Sequence, residues 1–410
     1  MPVPMNGIVV VGTGQAGFQL GASLRESGYA GPVTLVGDEP GLPYGRPPLS
    51  KAYMLGKTDA AGLSLRPEAY FAEHRLALRA GERAVAIDRA GRRLHLASGE
   101  ALAYDHLVLA TGSRNRPLPV PGADLAGVHQ LRTLAEADAL KAALAGAKAV
   151  AVVGAGFIGL EFAAVCARKG VSVTVIEGLE RPLARSVSAG MAALIEASHL
   201  AAGVRFLFGS GVSAILGPDR ARAVALADGR EIAADLILVG IGVLPNADLA
   251  AAAGLRIENG IAVDAMLATE DPAISGIGDG ASFPSPHADG ARVRIESVQN
   301  AVDGARCVAA RLTGRPAAFT AVPWFWSDQG PLKLQIAGLC QPHDLAVRRG
   351  DPEAGGVSVF CYRDGRLAGV ESLNRPADHM IARRLLQAGR NPAPDQAADP
   401  GFDLKALALG

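Results

Sequence analysis

The sequence predicts an α/β protein built from two repeated βαβ units, followed by a smaller α+β domain at its C-terminal end. Three observations support this fold. A glycine-rich turn between an apolar strand and a helix occurs twice, near residues 12 and 154. An apolar strand that ends in small residues also occurs twice, at 105–112 and 235–242. After Pro323 the pattern becomes aromatic and then alternating, which is typical of an antiparallel sheet.

The bulk composition excludes several classes of function. The chain has 410 residues, with 40 Lys and Arg balanced by 40 Asp and Glu. This balance gives no overall field that would attract nucleic acid or an anionic membrane, so we expect neither as a partner. The first seven residues have no basic region and no apolar core, so we expect no signal peptide and a cytoplasmic location.

The cysteines indicate neither a metal site nor a bound iron–sulfur cluster. Cys166, Cys307, Cys340 and Cys361 lie far apart in the sequence. They form no C-x-x-C pair and show no metal-ligand spacing, whereas iron–sulfur clusters need grouped thiolates. The sequence therefore predicts no metal ligands.

The first repeated unit begins with an apolar strand from Ile8 that runs into Gly12, Gly14 and Gly17. A helix is expected over 18–27, and a second strand ends at two acids, Asp38 and Glu39. This is the G-x-G-x-x-G pattern in its confirming context, where the glycines let a pyrophosphate approach the backbone at a helix N-terminus. Either acid can bind the ribose of the nucleotide, and we favour Asp38. The unit is therefore predicted to be Rossmann-like.

The second unit repeats the pattern at Gly154, Gly156 and Gly159, with a helix to about 169 and a strand over 171–177. That strand ends at Glu177, whose carboxylate can accept both hydroxyls of an adenosine ribose. Because a carboxylate repels a 2′-phosphate, we expect NADH rather than NADPH. Two nearby arginines, Arg181 and Arg185, favour the phosphate and weaken this inference.

The remaining elements complete three domains. A strand over 274–280 delivers Asp279 to the first unit. We therefore predict a discontinuous first domain over 1–112 and 247–322, a second over 113–246, and a third over 323–410. In the third, Asp364-Gly365 predicts a hairpin turn and 377–388 a helix. This domain can serve packing or a weak homodimer as well as catalysis.

Four motifs in order resemble those of the FAD-dependent, NADH-using ferredoxin reductases of bacterial oxygenase systems, the putidaredoxin reductase and biphenyl dioxygenase reductase type. The likeness covers essentially the whole chain and implies a glutathione-reductase-like fold. Two small departures are Gly45, which stands where the family usually has a polar or acidic residue, and Gly280, which stands where larger residues are usual. The motifs are Pro43-Tyr-Gly-Arg-Pro-Pro-Leu-Ser-Lys51, Gly156-Phe-Ile-Gly-Leu-Glu161, Glu296-Ser-Val-Gln-Asn-Ala301 and Trp324-Phe-Trp-Ser-Asp-Gln329.

The resemblance implies that the first unit holds FAD and the second NADH. In disulfide reductases of the wider superfamily, a redox cysteine pair follows the second strand. Here the proline-rich segment ending at Lys51 takes its place, so the flavin itself must pass the electrons on. The residues expected to hold FAD are Gly12, Thr13, Gly14, Gln15, Ala16, Gly17, Asp38, Arg46, Lys51, Ala110, Thr111, Gly112, Arg132, Asp279, Ser297, Val298 and Trp326. Those expected to hold NADH are Gly154, Gly156, Phe157, Ile158, Gly159, Glu177 and Gly242.

The resemblance also implies three catalytic residues: Lys51 near the flavin N5, Glu161 at the nicotinamide amide as the charge partner of Lys51, and Trp326 at the exposed flavin edge. An alternative interpretation makes Glu161 a first-turn acid that only stabilises its helix. Trp324 and Trp326 can likewise be packing aromatics. Ser297 is expected to cap a helix that runs to about 312 and points at the flavin.

The implied activity is hydride transfer from NADH to FAD, followed by single-electron transfer to a 2Fe–2S ferredoxin that feeds a cytochrome monooxygenase or a Rieske dioxygenase. Arg306, Arg311 and Lys333 are candidate docking charges for an acidic ferredoxin, or ordinary surface charges. The alternatives are a rubredoxin reductase, an NADH oxidase-like flavoprotein, a disulfide or dihydroascorbate-type reductase, and an interaction protein like the apoptosis-inducing factors.

Overall fold

A computed structural model describes residues 6–410 of the chain, so the expectation about a signal peptide lies partly outside the described residues. The chain divides into two compact units. Unit one contains the segment that ends at Gly45, together with Ala61–Arg114 and Leu244–Pro323. Unit two contains Arg46–Ala60, Asn115–Val243 and Trp324–Gly410. The three predicted domain boundaries stay a prediction.

Unit one is built on a parallel sheet of five short strands. Four of them are apolar and largely buried on both faces, as parallel strands usually are, whereas the edge strand Leu76–Ala80 is mostly part-exposed. Two helices, Gln15–Glu26 and Val298–Leu312, pack against each other beside this sheet. In spatial order the strands are Ile274–Gly276, His106–Leu109, Ile8–Val11, Val33–Gly37 and Leu76–Ala80.

Smaller elements complete unit one. The short helices are Glu68–Glu73 and Asp248–Ala252, with 3-10 turns at Gly278–Gly280 and Pro286–Ala288, and Ala60–Leu63 lies at the unit boundary. Two three-stranded sheets are formed by Ala84–Asp88, Arg93–Leu96 and Ala101–Ala103, and by Ile261–Ala262, Ala281–Pro284 and Arg292–Val293.

Unit two repeats the same architecture, which confirms the predicted duplication. Its parallel sheet has the order Arg205–Leu207, Ser172–Ile176, Ala149–Val153, Leu236–Val239 and Val128–His129. The helices of this part are Leu134–Leu144, Phe157–Arg168 and Ala189–Ala201. A three-stranded antiparallel sheet is added by Val212–Leu216, Ala223–Leu226 and Glu231–Ala233. The short strands Ser113–Asn115 and Val243–Pro245 lie at the unit boundary.

The C-terminal part of unit two is the predicted α+β element. The hairpin turn is confirmed, because Asp364 and Gly365 both have positive φ, at 49° and 70°, as a type I′ turn requires. The predicted helix is present as Pro376–Gln387, followed by Pro394–Ala398 and Leu404–Leu409. The antiparallel sheet has the order Trp324–Gln329, Leu332–Gly338, Arg366–Leu373, Gly356–Arg363 and Leu345–Asp351.

Within residues 6–410, none of the helices has both the length and the hydropathy that crossing a bilayer would demand.

The buried histidine of unit one generates a pH prediction. The Nε2 atom of His106 lies 2.8 Å from the Oγ atom of Ser275, and the residue is 7% exposed. Burial, with a smaller effect of the Arg311 charge, lowers the pKa of His106 to about 4. Because the unfolded chain binds this proton near pH 6.5, stability is full above that pH and falls between pH 6.5 and 4. We expect a loss of about 2 kcal/mol between pH 7 and pH 5 from this residue.

The measurement is the free energy of urea unfolding at pH 7 and pH 5, for the parent chain and for His106→Gln. Between pH 7 and pH 5, the free energy of unfolding of the variant should fall by about 2 kcal/mol less than that of the parent chain. An unchanged difference would show that His106 titrates alike in the folded and unfolded states.

Candidate functional site

The first glycine-rich turn is built to leave helix N–H groups open to an anion. Gly12 has φ of 115°, and a Cβ on it would lie 2.1 Å from the carbonyl oxygen of Ala110. The helix that follows has Gly14 at its N-cap, without a side-chain capping bond and without an acid in its first turn. The geometry therefore fits a pyrophosphate.

The second glycine-rich turn has the same construction in unit two. Gly154 has φ of 103°, and a Cβ there would lie 2.5 Å from the carbonyl oxygen of Gly240. The N-cap of the helix Phe157–Arg168 is Gly156, again without a side-chain cap. Gly242, in the loop that follows Leu236–Val239, accepts the backbone N–H of Arg116. This turn too fits the phosphates of a dinucleotide.

The acid that follows the second strand is differently placed in the two units. Glu177 directly follows Ser172–Ile176, and its Oε2 atom accepts the N–H of Ala155 at 2.8 Å while Oε1 accepts the N–H of Leu179 at 3.0 Å. In unit one, the strand register places Gly37 at the equivalent position. Any ribose acid there must therefore come from a residue further along the chain.

Two acids of unit one remain for that role. Asp38 is exposed at the end of its strand. Glu39 accepts the Tyr44 hydroxyl at 2.5 Å. Asp38 is more exposed than Glu39, which agrees with the preference derived from the sequence. Its role as a ligand of the ribose stays a prediction.

The carboxyl ends of adjacent unit-one strands bring further predicted residues together. Ala110, Thr111 and Gly112 follow His106–Leu109, and the Thr111 hydroxyl donates to the Asn246 carbonyl at 2.7 Å. The Asp279 Oδ2 atom accepts the Ser113 hydroxyl at 3.2 Å. Because the strands bearing these residues and Gly12 are neighbours, the residues line one edge of the sheet, where α/β folds bind ligands.

The predicted cap of the helix Val298–Leu312 is confirmed, because the Ser297 hydroxyl oxygen accepts the Asn300 N–H at 3.0 Å. The departure at Gly280 has a physical reason, since a Cβ would lie 3.0 Å from the carbonyl oxygen of Gly112. At Gly45 a Cβ would meet nothing closer than 3.8 Å, so a larger residue would fit there.

The proline-rich segment of unit two forms a 3-10 turn, Pro47–Ser50, that is anchored at both ends. Before the turn, the Arg46 Nη1 atom donates to the carbonyl oxygen of Arg132 at 2.6 Å, which joins two predicted site residues. After it, Tyr53 donates to Asp138, and this bond together with burial raises the pKa of Tyr53 to about 12. The segment is thereby held in one conformation.

The expected ion pair between Lys51 and Glu161 is present, with 2.9 Å between Nζ and Oε2. The Glu161 carboxylate is 4% exposed. It also accepts the Ser50 hydroxyl on Oε2 and the Ser327 hydroxyl at 2.6 Å on Oε1. Neither serine was singled out from the sequence, although both lie inside motifs quoted above.

The alternative interpretation, in which Glu161 is an acid in the first turn of its helix, is wrong. The helix begins at Phe157, so Glu161 is its fifth residue and lies beyond the first turn. A carboxylate there gains little from the exposed N–H groups of the helix end. Its buried contacts with Lys51 and the two serines must stabilise it instead.

The two tryptophans lie on one face of the strand Trp324–Gln329, with ring centroids 5.6 Å apart. Trp324 packs between the Arg383 guanidinium, 4.6 Å from its ring, and the His379 ring at 5.6 Å. This enclosure favours the packing interpretation for Trp324. Trp326 is partly exposed, and its role at the flavin edge stays a prediction.

One candidate docking charge is contradicted. Arg311 donates through Nη2 to Ser275 in the interior of unit one, and burial lowers its pKa. It is therefore an internal structural charge. Arg306 and Lys333 are exposed and remain surface charges, with Asp303 and Asp328 respectively within 4 Å.

Cysteines that are far apart in sequence meet in the C-terminal sheet. Cys340, Cys361 and Glu371 are buried with their ligand atoms within 4.8 Å of one another. Both carboxylate oxygens of Glu371 are already bound, at 2.6 Å, by the N–H and hydroxyl of Ser188. A hydrogen bond with Cys361 and burial raise the pKa of the Cys340 thiol, which disfavours the reactive thiolate.

The ion pair generates a stability prediction. Lys51→Met keeps most of the length of the side chain but leaves the buried Glu161 carboxylate without its counter-charge. We expect a loss of about 2–3 kcal/mol in the free energy of urea unfolding, because unpairing a buried charge is costly. Adding Glu161→Gln should recover part of this loss.

The matched control is Lys333→Met. That side chain is exposed and 3.9 Å from Asp328, so its loss should cost under about 0.5 kcal/mol. Equal effects of the two lysine variants would contradict a stabilising role for the ion pair.

Comparison with known proteins supports one family throughout the chain. Residues 6–305 match the model of the pyridine nucleotide-disulphide oxidoreductases, and residues 324–408 match the reductase C-terminal model. Rhodocoxin reductase of Rhodococcus erythropolis is 51% identical, covering 97% of this chain and 93% of that protein.

Solved structures agree. A ferredoxin reductase from Rhodopseudomonas palustris superposes with a TM-score of 0.96 at 48% identity, covering 98% of this chain and all of the other. Putidaredoxin reductase, in its covalent complex with putidaredoxin, gives 0.94 at 37% identity, covering 98% of each chain. The chain therefore belongs to the pyridine nucleotide-disulphide oxidoreductase family and, within it, to the ferredoxin reductases.

Proposed function

We propose that the chain takes electron pairs from NADH and delivers single electrons to a 2Fe–2S ferredoxin that serves an oxygenase. The observation that carries this proposal is the pair of similarly built glycine turns, combined with the ion pair between Lys51 and the buried Glu161. The resemblance implies that disulfide reductases carry their thiols in the segment where Lys51 lies. Bound FAD supplies the chemistry, since it can accept a hydride and release electrons one at a time.

Unit one offers a consistent set of contacts for FAD. The N–H groups at the start of Gln15–Glu26 would bind the pyrophosphate, and Asp38 the adenosine ribose. Asp279, fixed by the Ser113 hydroxyl, would bind the ribityl chain. The capped N-terminus of Val298–Leu312 would place partial positive charge where negative charge develops on reduction.

Unit two offers the contacts for NADH. Two backbone N–H groups hold the Glu177 carboxylate at the end of its strand, where it would accept the ribose hydroxyls and repel a 2′-phosphate. Arg181 donates to the carbonyl oxygen of Ala184 at 3.1 Å, which draws its guanidinium away from a phosphate. Arg185 is exposed. These contacts support NADH over NADPH.

Lys51 and Glu161 would orient the nicotinamide for transfer of its hydride. Glu161 is buried and is held by its contact with Lys51, and fixing a reactant in its productive orientation lowers the barrier to transfer. Trp326, partly exposed on its strand, would lie at the side from which electrons leave.

The names of the relatives support a ferredoxin as electron acceptor, since one is a rhodocoxin reductase and another was solved in complex with putidaredoxin. A rubredoxin reductase, an NADH oxidase, a disulfide or dihydroascorbate reductase and an apoptosis-inducing-factor-like role are not favoured. Either a cytochrome monooxygenase or a Rieske dioxygenase can be the final acceptor. We also propose that the protein is cytoplasmic and that it forms a weak homodimer.

Nucleotide preference provides one test. Glu177→Ala should lower the ratio of NADH to NADPH efficiency in anaerobic flavin reduction by about tenfold or more, because a repulsive charge and a ribose bond are both lost. Glu180→Ala, a nearby acid outside the proposed site, is the control. An unchanged ratio in Glu177→Ala would remove this residue from nucleotide selection.

Electron delivery provides the test of the whole function. NADH should bleach the flavin rapidly without oxygen, and cytochrome c reduction should then depend on an added 2Fe–2S ferredoxin from a panel. Oxygen consumption without ferredoxin should stay slow. Rapid oxygen consumption without any ferredoxin would identify an oxidase instead, and sluggish bleaching by NADH would favour an interaction role.

A further inference from the structure

A continuous line of buried side chains connects Glu161 to a histidine on another helix of unit two. The Ser327 hydroxyl donates to Glu161 Oε1 at 2.6 Å. The Gln329 Nε2 atom donates to Ser327 Oγ at 2.7 Å. The Gln329 Oε1 atom lies 3.0 Å from His199 Nε2. Each of the four side chains is at most 4% exposed, so water does not compete for these bonds.

The Glu161 carboxylate determines which group donates and which accepts in each of the three hydrogen bonds of this line. As the partner of Lys51, Glu161 only accepts, so Ser327 must donate its proton to it. The Ser327 oxygen is then free to accept, which turns the Gln329 NH₂ group toward it. The Gln329 carbonyl consequently faces His199, and His199 must carry its proton on Nε2.

His199 enters this line as a neutral group. It lies on the helix Ala189–Ala201, and burial lowers its pKa. At neutral pH the line therefore contains three uncharged dipoles whose donors all point toward one negative charge. Aligned hydrogen bonds of this kind strengthen one another in a low-dielectric interior.

The line also explains how the carboxylate is fixed. On Oε2, Glu161 contacts Lys51 and Ser50 from the proline-rich segment. On Oε1 it contacts Ser327 from the strand Trp324–Gln329. The two oxygens are thus held from opposite elements, so the carboxylate cannot rotate without breaking a buried bond.

We propose that Ser327, Gln329 and His199 are positioning residues for the hydride-transfer step, forming a one-directional hydrogen-bond line that holds the Glu161 carboxylate against Lys51. This inference rests on the role proposed above for Glu161. The three residues act through that carboxylate, and Gln329 Nε2 also donates to the backbone carbonyl oxygen of Phe157 at 3.4 Å. Removing a bond to a charged, buried acceptor should therefore slow hydride transfer by about tenfold or more.

The first experiment measures the limiting rate of anaerobic flavin reduction by NADH, together with the apparent NADH dissociation constant, in the holoenzyme. Ser327→Ala removes the donor to Glu161. Gln329→Glu keeps size and shape but replaces the donor to Ser327 by an acceptor. We expect both to lower the limiting rate by about tenfold, with the dissociation constant changed less than the rate. Ser358→Ala, another buried serine of the C-terminal sheet, is the control and should keep the parent rate.

A double-mutant cycle separates positioning from general destabilisation. In a Glu161→Gln background, Ser327→Ala should have almost no further effect on the rate, because its action passes through the missing carboxylate. Independent effects that multiply would overturn the proposal. If Glu161→Gln alone leaves the rate unchanged, the role of Glu161 itself is wrong. If Glu161→Gln slows the step but Ser327→Ala and Gln329→Glu do not, only the present inference fails.

A second readout does not depend on activity. In holoenzyme with ¹⁵N-labelled histidine, the resonances lost in His199→Asn identify this ring. Its nitrogen shifts at pH 7.5 should show the proton on Nε2, and Gln329→Glu should perturb them. A proton on Nδ1 would reverse the bond between His199 and Gln329 and overturn the proposal.

Discussion

The buried carboxylate of Glu161 is the constraint on which the arrangement of unit two depends. A charge at that depth is tolerated only with a counter-charge and with hydrogen bonds to both oxygens. Lys51 and Ser50 supply one side and Ser327 the other. Meeting this requirement brings together the proline-rich segment, the helix Phe157–Arg168 and the first strand of the C-terminal sheet.

The duplicated glycine turn sets the rest of the architecture. In each unit a short strand, buried on both faces, ends at a glycine whose backbone no larger residue could adopt, as at Gly12 and Gly154. The repeat is not an exact copy, however. At equivalent positions near the end of the second strand, unit two has the acid Glu177 and unit one has Gly37. The two units therefore have different side chains at this position on nearly the same backbone.

Local features could be predicted from the sequence, whereas long-range contacts could not. The hairpin at Asp364-Gly365 depends on two adjacent residues, and its turn type follows from them. The hydroxyl partners of Glu161 are 111 and 166 residues away, at Ser50 and Ser327, and no periodicity signals such meetings. The ion pair was predicted only because a family resemblance supplied what spacing alone could not.

The strand Trp324–Gln329 has side chains of opposite character on its two faces. Both tryptophans point one way, while Ser327 and Gln329 point the other, toward Glu161. Since neighbouring residues of a strand alternate, inserting or deleting a single residue would exchange indoles for hydroxyl and amide groups. Exchange of C-terminal domains between relatives must therefore preserve the alternation of side chains along this strand. A junction near Pro323 is the safer place for a crossover, because it lies just before the strand begins.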